Sequence, residues 1–486
     1  MNTFSYGVNR GDGLFYPSDI GTAFGGGAEQ KFDQVAYWRV AENMRSLLST
    51  GHDPLGVLID RAHHHGMEFI ASLRMGGFDG LLPTQPADEI GQSTPSGPSQ
   101  LATSEGGKGL LDPRAQCHQL AILEELVTRY NSDGVELDFA CAPGGGAAVF
   151  QPEDAVHGAP VLTELMRRNA ELCHSRGKII GARIYPTEEM NERAGLDVRS
   201  WISEGLVDYV IPMLYVCMVL DTQGGSAADW LVRHAHANDV EVISMLQPYY
   251  SDTTHMLSRN RLNPENSTKA MRHAAAAAAY AKGATGLCVW FLPWPLGADE
   301  RDSLRTIADP DHALLTADKH YFARWHMCEP DSVRSNMGTE ASLEGIEWDA
   351  MYPAELPVRL NSGDSASVEL FIADDIGDAP STSTLGAVVL RIGLHGTTNR
   401  DEMTISLNGV PVNPQQWRRR PYPGCDPYVA QMIEVGAVPR RLLKTGANSV
   451  HIGLSNRPQG LELAAVVVCD VELKLEYNVW SATSSL

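Results

Sequence analysis

Residues 131–140 read NSDGVELDFA, and three carboxylates, Asp133, Glu136 and Asp138, stand within six of those positions. The residues between them are those of a buried strand. On an extended chain successive side chains alternate faces, so Val135, Leu137 and Phe139 share one face while Glu136 and Asp138 share the other. Two acids side by side in an apolar interior cost several kcal/mol unless something pairs or hydrates them. The pattern therefore predicts that they face the mouth of a barrel, where charge serves chemistry. One carboxyl can act as nucleophile or stabilise positive charge while a second protonates a leaving oxygen.

The elements needed to hold such a pair are legible around it. From about residue 30 to 310 an amphipathic helix, a short strand and a polar loop recur. DPLGVLIDRAHHHG feeds MEFIASLRM; DPRAQCHQLAILEELVTRYN feeds SDGVELDFA; APVLTELMRRNAELCHSRG feeds KIIGARIYP. DVRSWISEG, SAADWLVRHAHAND and STKAMRHAAAAAAYAKG then feed LVDYVIPMLY, VEVISMLQPYY and ATGLCVWFLPW. Each helix stops at Gly, Asn or Asp. With the opening strand FSYGV this makes seven strands, close to the eight of a (β/α)8 TIM-like barrel whose first strand is absent or irregular. A doubly wound open sheet is the alternative, but the G-x-G-x-x-G turn it favours is absent.

In such barrels the site forms at the C-terminal strand ends. Those ends supply Arg74, Glu136, Asp138, Arg183, Tyr185, Tyr215, Gln247, Tyr249, Trp290 and Trp294. Carboxylates, arginines and aromatic rings on one rim suit a carbohydrate, whose ring faces stack on aromatics while its hydroxyls take charged hydrogen bonds. Arg74 and Arg183 equally suit neutralising the two acids as a structural ion-pair cluster. The His63–His65 triplet precedes its strand and points around a helix, so no metal site is expected there.

Beyond about residue 345 the texture changes to short alternating strands, with Val471, Leu473, Leu475 and Tyr477 on one face of DVELKLEY and an Asn-Gly hairpin turn in LNGV. The expected organisation is a catalytic barrel over 1–310, a connector over 311–345, an all-β sandwich of jelly-roll type over 346–479 and a disordered tail over 480–486.

Bulk composition narrows the partners. The 486 residues exceed what one core usually holds, and 60 acidic against 38 basic residues give a formal charge of −22. That excess repels phosphate backbones, and the single arginine cluster, QQWRRRPYP, reads as a solvated turn, so nucleic acid is not an expected partner. Eight scattered cysteines lack zinc spacing and read mostly as free, buried residues. No run of 18 apolar residues implies a membrane span. The start MNTFSYGVNRGDG lacks a signal-peptide pattern, so the chain as written is cytoplasmic unless its native start lies upstream. No cofactor is implied. FIADDIGDA offers clustered carboxylates of the kind that hold calcium, though such loops are usually solvated.

DGVELDF, then IPMLY, then a tryptophan in VWFLPW resembles the glycoside hydrolase barrels. Over most of residues 35–295 the chain is most similar to the uncharacterised family-10-like glycosyl hydrolase group, and more distantly to the family 18 chitinase-like barrels. The chitinase pattern D-G-x-D-x-D-x-E would fall on Asp133, Glu136, Asp138 and Ala140, so alanine stands where that family carries its general acid. In the related α-galactosidase-like barrels an aspartate at a comparable strand end is the nucleophile, a role the resemblance gives to Asp138. Glu136 would then hold Asp138 or an arginine in place. Asp221 is the favoured proton donor, with Glu188, Glu189, Asp79 and Asp252 as alternatives. The sandwich resembles galactose-binding-like jelly rolls. The resemblance thus implies a glycoside hydrolase acting on a poly- or oligosaccharide, or an inactive carbohydrate-binding barrel.

Overall fold

The computed structural model describes residues 2–10, 13–24, 35–75, 109–111, 113–140, 154–212, 229–246, 249–250, 265–289, 295–323, 355–376, 385–422, 428–461 and 463–477. These fall into two compact units. The first takes the described residues up to 212 together with 229–243; the second takes those from 244 to 323 and from 355 onward.

A seven-stranded sheet has its first five strands within the first unit. Its strands are β1 (Thr3–Gly7), β2 (Glu68–Arg74), β3 (Gly134–Asp138), β4 (Ile179–Ile184), β5 (Tyr209–Pro212), β6 (Glu241–Leu246) and β7 (Gly286–Val289), neighbours in that order. Every pairing from β1 to β6 is parallel. Helices precede these strands as expected: α1 (Val35–Ser49), α2 (Pro54–His64), α3 (Pro113–Arg129), α4 (Ala155–His174), α5 (Glu188–Arg193), α6 (Val198–Ser203) and α7 (Asp229–His236). Asp53 starts α2 by accepting the N–H groups of Leu55 and Gly56, with Pro54 at the first helical position. Gly66 and Gly177 take left-handed φ values of 68° and 66° just past α2 and α4, which turns the chain into β2 and β4.

Strand register separates two faces. Phe69, Ala71, Leu73, Val135, Leu137, Ile180, Ala182 and Val210 are all buried on one. The other aligns Ser72, Glu136 and Gly181 on one level and Arg74, Asp138 and Arg183 on the next. That second face is concave. Ser5 Oγ lies 3.5 Å from Glu136 Oε1, although β2 runs between their strands. Strands two apart are separated by about 10 Å, so a serine and a glutamate that both stand off the sheet meet across the strand between them where the sheet bends around them.

The strand entries carry a repeated device. Asp133 Oδ2 accepts the N–H of Phe69 at 2.7 Å and faces His63 Nε2 at 2.8 Å. Asp208 Oδ2 accepts the N–H of Ile180 at 2.7 Å and faces His174 Nε2 at 3.1 Å. In each case an acid entering one strand caps the preceding strand and pairs with the histidine of the helix before it.

The second unit is built on two antiparallel sheets with a shared apolar core. One holds β8 (Lys319–Phe322), β9 (Val358–Leu360), β11 (Leu385–His395), β14 (Trp417–Pro421), β15 (Ala430–Val435) and β17 (Val466–Tyr477). The other holds β10 (Ser365–Ile372), β12 (Glu402–Leu407), β13 (Val410–Pro411) and β16 (Gly446–Asn456). Asn408 and Gly409, at φ 50° and 81°, form the expected hairpin turn between β12 and β13. Val471, Leu473 and Leu475 are buried together, as their alternation requires. Helix α8 (Lys269–Ala281) lays its alanine face, including Ala274, Ala275 and Ala276, into the same core.

Three local expectations change. Arg418, Arg419 and Arg420 lie on strand β14, where Arg420 pairs with Glu434, rather than in a solvated turn. Asp374 of FIADDIGDA is buried by Lys319, its Oδ1 2.8 Å from Lys319 Nζ, rather than solvated. Cys117 is exposed, whereas Cys173 and Cys469 are buried. The tail 480–486 and residues Cys141, Cys217, Cys328 and Cys425 lie outside the described residues.

Candidate functional site

At the C-terminal ends of β2, β3 and β4, four charged side chains meet on the concave face. Glu136 and Arg183 are 1% and 2% exposed and form an ion pair through Arg183 Nε. Ser72 Oγ donates to the same Glu136 oxygen at 2.7 Å. Glu136 is thereby held by a hydroxyl from its own level of the sheet and by a guanidinium from the level of Asp138.

Asp138, one level nearer the rim, is 1% exposed and differently served. Its Oδ2 lies 4.0 Å from Arg74 Nε, beyond hydrogen-bond range, and its Oδ1 has no hydrogen-bond partner. Burial pushes its carboxyl pKa up; Arg183 and Arg74 pull it down, Glu136 pushes it up again, and the Ala140 N–H favours the anion. Burial wins, so the carboxyl pKa lies above the ordinary aspartate value and the neutral form is favoured relative to an exposed aspartate. A neutral buried carboxyl can donate a hydrogen bond or a proton.

The surrounding backbone is fixed by side-chain amides. Asn9 Oδ1 accepts the Arg74 N–H at 2.8 Å and its Nδ2 donates to the Arg74 carbonyl at 3.2 Å. Asn191 does the same for Tyr185, at 2.9 and 2.8 Å. Tyr209, on the same face, lies over Gly181: a Cβ at Gly181 would come within 2.0 Å of Tyr209 Cζ. Sequence reasoning missed Ser5, Asn9, Ser72, Asn191 and Tyr209. Ser72 and Tyr209 share the face of Glu136 by strand parity, a signal the sequence carried; Asn9 lies in a two-residue strand past β1 and Asn191 in helix α5, and neither had one.

Of the residues expected on the rim, the structure brings together Arg74, Glu136, Asp138 and Arg183, with Tyr185 buried immediately beyond Arg183. Asp221, Tyr215, Gln247, Trp290 and Trp294 lie outside the described residues, as do Asp79 and Asp252. Tyr249 pairs with Asn266 in a two-residue bridge. Glu188 and Glu189 are engaged by Arg199 and Arg193 on the surface. Asp133 sits at the opposite end of β3 from Asp138 and caps a strand. Among the described residues no group of three or more His, Cys, Asp or Glu side chains could hold a metal, and no helix is long and apolar enough to cross a membrane.

No known protein family matches the chain, and no curated protein does. Among solved structures, a class V chitinase from Pseudomonas fluorescens Pf-5 aligns with 52% of this chain and 84% of its own, at 13% identity and a TM-score of 0.34. A chitinase from Rhizomucor miehei aligns with 52% and 86%, at 14% identity and 0.34. The spore cortex-lytic enzyme of Bacillus megaterium QM B1551 aligns with 53% and 63%, at 13% identity and 0.33. Likeness at this level bears on neither activity nor substrate.

Proposed function

We propose that the parallel-sheet unit is a glycoside hydrolase, a (β/α)8-type barrel with Asp138 as its reacting carboxyl. The observation that supports this is the state of Asp138. It is a buried acid at the C-terminal end of a parallel strand, with an unpartnered oxygen and burial favouring its neutral form. In this reading Asp138 exchanges roles with Asp221 relative to what the resemblance implies. It delivers its proton to the glycosidic oxygen as the bond to the leaving sugar breaks, and is reprotonated by the attacking water under retention or by solvent under inversion. Glu136, paired with Arg183, adds no unmatched charge beside Asp138 as that carboxyl loses and regains its proton. Asp221 is the proposed second carboxylate. A separation from Asp138 of about 5–5.5 Å would make it a nucleophile with retention, and one of about 6.5–9.5 Å a base with inversion. The substrate is a poly- or oligosaccharide, its hydroxyls met by Arg74 and its rings by Tyr215, Tyr249, Trp290 and Trp294. The β-sandwich is an accessory domain.

One observation favours a second reading, an inactive carbohydrate-binding barrel. Ala140 is fully buried where the chitinase-like pattern places its acid, and Glu136 is already spent on Arg183. Wild type and Asp138→Asn, screened side by side on a polysaccharide panel for released reducing ends, separate the two. Activity lost in a folded Asp138→Asn supports the hydrolase. No release on any member, together with a glycan that raises the melting temperature, supports the binding barrel instead.

A further inference from the structure

The asparagine clamp on Arg74 has a geometric cause. Along a parallel strand, the N–H and C=O of alternate residues face alternate neighbours. Met75 donates to the Asp138 carbonyl at 3.0 Å, so Met75 faces β3 and Arg74 faces β1. But β1 ends at Gly7, with Val8 making one more bond to the Ser72 carbonyl at 2.9 Å. The Arg74 N–H and C=O would therefore be left without a strand partner at the level of Asp138. The Asn9 carboxamide, one donor and one acceptor, replaces the missing rung, and Asn9 is 5% exposed. The same substitution occurs two strands away, where β3 has ended and Asn191 completes Tyr185. Both strands flanking Asp138 are thus finished by an amide side chain.

We propose that Asn9 is a positioning residue for the reacting carboxyl: by holding both main-chain groups of Arg74, it sets how closely the Arg74 guanidinium approaches Asp138 Oδ2. The gap of 4.0 Å lies just outside hydrogen-bond range, so a backbone movement that closes or widens it decides whether Arg74 bonds Asp138 or acts on it through its charge alone. The other charged groups acting on Asp138 are Arg183 on β4 and Glu136 on its own strand. Those two are locked to each other, and of the two cations near Asp138 it is Arg74 whose main chain Asn9 holds. The inference rests on the reading of Asp138 as the reacting group, but its test does not.

The test is thermal unfolding against pH for chains with Asp138 or Asp138→Asn. Each pair is compared in four backgrounds: wild type, Asn9→Ala, Arg74→Gln, and both together. A carboxyl whose pKa is raised on folding costs stability as pH climbs from its unfolded to its folded value. The melting-temperature advantage of Asp138→Asn should therefore grow across that window and then level off. An opposite charge nearby shifts a carboxyl by about 1–3 units, so loosening Arg74 through Asn9→Ala should move the levelling point up by roughly half a unit or more. In the Arg74→Gln background, Asn9→Ala should move it no further. A uniform loss of melting temperature with the levelling point unmoved overturns the proposal, as does a shift that persists without Arg74. If Asn9→Ala does not fold, Asn9→Ser, which shortens the side chain without adding a charge, is judged by the same shift in both Arg74 backgrounds. Absence of glycan cleavage with the shift intact would sink the hydrolase reading and leave the positioning role standing.

Discussion

Glu136 and Arg183, on adjacent strands and both fully buried, neutralise each other beneath the rim. Removing one member of such a pair strands the other charge in the interior, at a cost of about 3–5 kcal/mol. Glu136→Ala is expected to lose that much in denaturant unfolding. Glu136→Leu with Arg183→Met should recover most of it, because two apolar groups of similar volume leave no charge stranded. A double variant as unstable as the single one would mean that the pair contributes through something other than its charges.

Gly181 and Tyr209 test the floor of the site. The Tyr209 ring occupies the space a Cβ at Gly181 would need. Gly181→Ala should therefore destabilise by about 1–3 kcal/mol through forced repacking. In a Tyr209→Ala background the same change should cost clearly less, since the obstruction is gone; equal costs in the two backgrounds would refute the steric account.

The His63–Asp133 pair gives a pH signature. Burial raises the Asp133 carboxyl, but the Phe69 N–H and His63 outweigh it, and the net pKa is below the ordinary value. A carboxyl depressed on folding contributes stability that is present above its unfolded pKa and lost as pH falls through its folded one. Asp133→Asn should thus be less stable than wild type at neutral pH, by about 1 kcal/mol given partial exposure, and the gap should close under acid conditions below the usual aspartate range. A gap independent of pH would point to packing rather than charge.

In the second unit, Lys319 Nζ donates to the carbonyls of Leu314 and Ala317 at 2.7 and 3.1 Å and pairs with Asp374, which also accepts from the hydroxyls of Tyr321 and Tyr477 at 2.5 and 2.6 Å. Burial, reinforced by Asp374, raises both tyrosine pKa values, so both remain donors across the working pH range. Lys319→Met leaves Asp374 buried without its cation and should cost about 3–5 kcal/mol, against about 1.5–3 kcal/mol for Tyr477→Phe. Comparable losses for the two would show that the cation is not the centre of this network.

The parallel strands, the helices before them and the change to β-sandwich texture were legible because they rest on local periodicity. Side chains alternate along a strand and recur every 3.6 residues along a helix, whatever the rest of the chain does. The same rule placed Glu136 and Asp138 on one face, away from Val135 and Leu137. It could not say which acid would be matched. Arg183 and Arg74 both stand at strand ends, yet Arg183 closes on Glu136 while Arg74 stops 4.0 Å from Asp138. That difference depends on strand register and on the bend that carries Ser5 to Glu136 across β2, neither of which is a property of any one segment. Asn9 and Asn191 were invisible for the same reason. Their role exists only because a neighbouring strand ends one rung early, and a strand's length is decided by its partners. Composition and periodicity by themselves determined a parallel sheet with an acidic strand end. Only the tertiary structure decided that one acid is an ion-paired anchor and the other a buried carboxyl with a raised pKa, because desolvation and Coulomb attraction depend on distances that folding alone sets.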